Sequence, residues 1–248
     1  RAHGAIYRSE SSGFSIILDF FRYEFPATFR RTFRYTLTAF LIFLAATAFA
    51  WAACTLDEGF ADKIAPGLKR DIAAHHNWTE SVNHANPLAS TSIQTNNITV
   101  TFYAFGGGIF AGLVTIWVLI QNGLLLGMVF GLCIKYRFWD IPIFVAGHGV
   151  IELTAIFIAG GAGLMIGRAL VMPGDRSRID ALVTNGSEAV KLIMGCVPML
   201  LIAGIIEGFI SPAHIPPVFK FFISGLSLLA MVVYFLRPDK RASSQAQG

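Results

Sequence analysis

His148, Glu152 and Glu207 stand as ionisable side chains inside the long apolar runs of this sequence. An ionisable group at the centre of a bilayer costs ~2.5–3.5 kcal/mol on insertion scales, so each needs a partner or a task. His148 and Glu152 are four residues apart and stack on one helical face, which Ala155, Ala159 and Gly163 continue. A stripe of small residues faces other helices, so the pair points into protein. Together with Asn122 they form a candidate intramembrane polar site. Two readings stand side by side: a proton or ion relay, metal site or acid–base pair, and a buried hydrogen-bonded pair that pins two helices.

The motifs narrow the chemistry. A zinc peptidase needs a third ligand in an HExxH-like arrangement, whereas His148-Gly149-Val150-Ile151-Glu152 supplies one His and one carboxylate. No nucleophile elbow, P-loop or dinucleotide fingerprint stands in a suitable context, and Gly106-Gly107-Gly108 lies in an apolar helix, where it serves packing. The expectation is therefore no catalytic residue, no metal and no cofactor. Cys54, Cys133 and Cys196 match no metal or redox spacing and read as small buried hydrophobes.

The elements that must hold these residues are membrane spans. With 54% hydrophobic and 14% charged residues in 248, and a mean hydropathy of +0.61, lipid is the solvent of most of the chain. A span needs ~20 apolar residues. Residues 36–54 make the first, 141–166 a fourth, 192–210 a fifth and 218–236 a sixth. Residues 98–134 are too long for one, and Gln121-Asn122-Gly123 is expected to break them into two short helices joined by a tight turn. Thirteen of the nineteen basic residues then fall on the side of both termini, which the positive-inside rule makes cytoplasmic; a five-span reading leaves nine. The fold class is thus an all-α polytopic bundle of about six transmembrane helices in a plasma (inner) membrane. The basic residues read as topology and anionic lipid contact, and nucleic acid is excluded as a partner.

Five segments follow. Residues 1–35 are a cytoplasmic basic segment, in which 13–34 interleave Phe and Arg and are expected to lie along the inner headgroup layer, broken near Pro26. Residues 36–54 are the first span, 55–97 a polar extracytoplasmic segment suited to partner docking, 98–236 the bundle, and 237–248 a cytoplasmic tail. The sequence opens on Arg1, which leaves an upstream portion open.

Lipid gives helices no hydrophobic reason to associate, so small residues must allow close approach. Four sets stand at four-residue spacing: Gly108 and Gly112; Gly123, Gly127 and Gly131; Gly163 and Gly167; Gly204 and Gly208. They imply a compact bundle or a tight homo-oligomer.

The run His148-Gly149-Val150-Ile151-Glu152-Leu153, followed by Gly160-Gly161-Ala162-Gly163-Leu164, resembles the signature of the stage II sporulation protein M family. Asn96-Asn97-Ile98, Gln121-Asn122-Gly123 and Glu207-Gly208-Phe209-Ile210-Ser211-Pro212 agree with it in order. The resemblance implies a multi-span bacterial or archaeal membrane protein without established enzymatic activity. The namesake anchors cell-wall-degrading partners during engulfment, and wider relatives neighbour AAA-type ATPase systems. The basic N-terminal region and residues 55–97 depart from the short namesake. The expectation is a non-enzymatic bacterial membrane scaffold or assembly subunit that recruits partners, with a transporter or channel component lined by Asn122, His148, Glu152 and Glu207 as the alternative.

Overall fold

The computed structural model describes residues 13–57, 59–76, 87–213 and 215–238, with backbone alone for 87–93. Among the described residues the chain is helical with no strand, and five helices are long and apolar enough to cross a membrane. This is an all-α membrane protein. Its N-terminal helix comprises α1 (Gly13–Asp19), a π-helical turn (Phe20–Glu24) and α2 (Phe25–Leu56). Short helices α3 (Phe60–Ile64) and α4 (Pro66–Ala73) follow, then α5 (Pro87–Gly106), α6 (Leu113–Lys135), α7 (Asp140–Ala146), α8 (Gly149–Val171), α9 (Arg178–Phe209) and α10 (Pro217–Leu236).

Three expectations change. The first concerns residues 98–134. The break falls at the 3-10 turn Gly107–Ile109, not at Gln121-Asn122-Gly123, which lie inside an unbroken α6. Asn122 donates to the carbonyl of Val118 at 2.8 Å, one turn back, so its amide does not compete with the helix. The chain reverses instead where Gly112 adopts a left-handed φ of 80°, preceded by Ala111 at 54°. Five helices have the length and apolarity of a span, and α5, twenty residues and ~30 Å long, is too polar to be counted with them because it carries Asn96, Asn97, Thr95, Thr99 and Thr101. It still descends beside α8, with Asn97 beside Glu152 at one end and Gly108 against Gly163 toward the other. The helix begins at Pro87, inside the polar segment 55–97.

The second change is in residues 141–166, which are two helices. α7 ends at Ala146, Gly147 and His148 make the joint, and α8 starts at Gly149. His148 is therefore the N-cap residue of α8 rather than a position deep in a continuous span. The third concerns Pro26. The helix from Gly13 to Leu56 runs without interruption, because the π turn delivers Pro26 into the first turn of α2, where proline's missing N–H matters least. Phe25 presses on Gly195 of α9, and Arg30 donates to the carbonyl of Phe235 at 3.0 Å. The basic N-terminal stretch thus packs across α9 and the end of α10. Its most N-terminal turns project Phe14, Ile16, Ile17 and Leu18 outward.

α8 is the central helix, with 72% of its apolar stretch buried against 11% for α10. α2, α5 and α9 surround it. At the end opposite the arginines, α3 and α4 close the bundle: Ile72 and Ala61 bury beside Leu132 and Phe138, and His75 stacks on Phe138 while its Nε2 meets the carbonyl of Tyr136 at 2.9 Å. Residues 1–12 of the basic N-terminal segment, 77–86 of the polar segment and 239–248 of the tail lie outside the described residues.

Candidate functional site: a buried polar clasp

The clasp sits where α8 begins and α9 ends. N-cap positions favour Ser, Thr, Asp or Asn, yet His148 holds this one and makes no side-chain cap. Its ring instead crosses to the neighbouring helix end, with Nδ1 2.9 Å from Ser211 Oγ. Its other nitrogen, Nε2, lies 3.7 Å from Glu152 Oε2, the stacked i,i+4 neighbour. Phe144 covers the imidazole edge-on at 5.5 Å between centroids. The approach depends on Gly147, where a Cβ would stand 2.7 Å from Ser211 Oγ.

Glu152 also takes a hydrogen bond from the side chain of Asn97, on α5. Glu207, on α9, is close enough to Glu152 for their charges to interact. Its burial is nearly complete at 1% exposure, and neither carboxyl oxygen has a hydrogen-bond partner among the described residues. Lys220, from α10, donates to the Ser211 carbonyl at 2.5 Å and is itself buried. Four helices therefore meet through side chains that the bilayer would otherwise penalise. A hydrogen bond contributes a net ~0.5–1.5 kcal/mol and an orphaned buried polar group costs ~1–3 kcal/mol, so the partners of His148, Glu152 and Lys220 favour this packing while Glu207 weighs against it.

The structure brings His148 and Glu152 together and sets Glu207 beside Glu152. Asn122 does not join them, since its amide is bonded within α6. Reasoning from sequence missed Asn97, Ser211 and Lys220. Lys220 was visible as an ionisable residue inside 218–236, and Ser211 stood in the segment closing the fifth span, but only the meeting of helix ends makes them partners. Among the described residues no group of three or more His, Cys, Asp or Glu could hold a metal ion.

The glycines are placed as follows. A Cβ at Gly123, Gly127 or Gly131 would stand 2.5 Å from Phe43 O, 2.2 Å from Thr47 O and 3.0 Å from Cys54 Cβ, all on α2. Gly108 and Gly163 face each other across the α5–α6 turn, and Gly167 meets Gly112. Gly204 receives the side chain of Gln94, whose amide bonds to the Leu200 carbonyl at 3.3 Å. Gly208 is the exception: among the described residues nothing lies within 4 Å of a Cβ there.

A bundle of apolar helices held by an intramembrane polar clasp defines a polytopic membrane protein. The sequence model for stage II sporulation protein M matches residues 39–212, from the middle of α2 to the end of the clasp, and the chain belongs to that family. No curated protein and no solved structure matches it.

Proposed function

We propose that this chain is a non-enzymatic membrane scaffold or assembly subunit that recruits partner proteins. One observation carries the reading: His148, Glu152 and Glu207 are 3%, 7% and 1% exposed, and the first two bond to groups on neighbouring helices. Buried groups that join helices serve to hold a shape. The shape holds up the α3–α4 cap, whose outward residues Asp62, Lys63, Arg70 and Asp71 suit a partner outside the membrane. In this proposal the membrane is the plasma (inner) membrane of a bacterium, both termini are cytoplasmic, and partners are envelope or membrane proteins, an AAA-type ATPase system among them. A homo-oligomer belongs to the same proposal, formed through surfaces other than the glycine stripe of α6, which α2 occupies.

The test is photo-crosslinking in native membranes from positions 63 and 70, with proton flux measured in parallel on reconstituted vesicles. A discrete heterologous adduct with no flux supports the scaffold. Flux that Glu207→Gln abolishes refutes it and selects the second reading, a transporter or channel component. That reading draws on Glu207, whose two oxygens, unpartnered among the described residues and beside a second carboxyl, are where a transported proton would rest.

A further inference from the structure

At the end of the bundle away from the clasp, a cleft of ≈170 Å³ opens between α2, the end of α8 and the start of α9. Arg34, Arg168 and Arg176 line it with Tyr35, Gly174 and Asn185. Arg34 and Arg168 both donate to the Tyr35 hydroxyl, at 3.2 and 2.9 Å, so two guanidinium groups converge on one neutral oxygen. Among the described residues none of the three arginines has a carboxylate within ion-pair distance. The nearby acids are otherwise engaged or outside the lining: Glu188 pairs with Arg31, Asp180 accepts from Ser177 Oγ at 2.6 Å, and Asp175 does not line the cleft.

Three cations left together without a counter-charge repel one another, and folding tolerates this where an anion relieves it. Arg suits a phosphate group best, because its planar fork donates two parallel bonds. Space allows it: one water needs about 10–15 Å³, and the cleft is far larger. Depth also fits. Arg168 lies nineteen residues beyond Gly149 on α8, ~28 Å along the helix, which is one hydrocarbon thickness from its other end. The cleft is therefore level with a headgroup layer, and Met172 and Pro173 at its rim offer an apolar edge to an acyl chain.

We propose that this cleft binds the phosphate of an anionic phospholipid headgroup, gripped by Arg34, Arg168 and Arg176. Each basic group near such a surface is worth enough that removing all three weakens retention by at least about tenfold.

The experiment is native mass spectrometry and thermal melting of the full chain in detergent, titrated with phosphatidylglycerol, phosphatidylcholine or inorganic phosphate. The wild type should retain phosphatidylglycerol over phosphatidylcholine and melt higher with it, and the Arg34→Gln, Arg168→Gln, Arg176→Gln combination should lose both effects. Arg176→Gln alone, on the α8–α9 loop, gives a partial loss should the triple variant fold poorly. Arg22→Gln removes the same charge from the same end outside the cleft and should change little. An equal shift with inorganic phosphate keeps the site but assigns it to a free anion, which overturns the lipid as occupant. Equal retention of both lipids, or equal losses for Arg22→Gln and Arg176→Gln, overturns the site.

Discussion

The tightest backbone approach on the α2–α6 seam is at Gly127, and adding one methyl group there should separate packing from helix propensity. In the present geometry a Cβ would sit 2.2 Å from the Thr47 carbonyl oxygen and 2.9 Å from Ala50 Cβ, where ordinary contact begins at 3.4 Å. α2 would have to recede by ~1.2 Å. Local give is small, because Gly123 and Gly131, one turn to either side, hold the same helix at 2.5 and 3.0 Å. Overpacking of this kind costs ~1–3 kcal/mol, and the gain from replacing a helical glycine returns ~0.5–1 kcal/mol. Taking the middle of each range, Gly127→Ala should therefore be destabilised by a net ~1 kcal/mol, within bounds of ~0–2.5, which for a chain of this size lowers the melting temperature by roughly 2–4 °C. Gly208→Ala is the matched comparison. It carries the same spacing signature in sequence but among the described residues meets nothing within 4 Å, so the propensity term dominates and melting should rise by ~1–4 °C. The assay is thermal unfolding of both variants in one detergent. Gly127→Ala melting at or above wild type, or both variants shifting in the same direction, would refute the reasoning.

Other outcomes follow from the clasp and the topology. Glu152→Gln should preserve the fold, since an amide keeps the shape and still reaches Asn97 and His148, whereas Glu152→Leu should lower stability by ~1–3 kcal/mol by orphaning them; equal melting temperatures for the two would contradict this. Gly147→Val should destabilise by at least ~1–3 kcal/mol, because the side chain would enter the space of Ser211 Oγ, and a wild-type melting curve would show that the His148–Ser211 contact does not bind the helix ends. Single cysteines at Gly67 and Gly174 should react with an impermeant thiol reagent from opposite sides of the membrane. The natural Cys54, Cys133 and Cys196 are buried and should stay silent, so labelling of both sites from one side would overturn the alternation of helices.

What the sequence determined by itself was whatever depends on solvent and on local spacing. Lipid demands long apolar helices with internally bonded backbones, and runs such as 36–54, 192–210 and 218–236 could be little else. The i,i+4 spacing put His148 and Glu152 on one face before any packing was known, and that pair survives the break at Gly147 because both lie at the very start of α8. Tertiary structure decided the rest. Whether Gly107–Ile109 or Gln121-Asn122-Gly123 makes the turn depends on which stretch can press α5, α6 and α8 together, and Asn122 is acceptable in mid-helix only because Val118 lies one turn beneath it. Ser211, Lys220 and Asn97 become partners of the clasp only when the middle of α5 meets the ends of α8, α9 and α10, a relation with no sequence period. Gly127 and Gly208 look alike in sequence; among the described residues a neighbouring helix presses on one and not the other, because spacing fixes the face of a helix but not what packs on it.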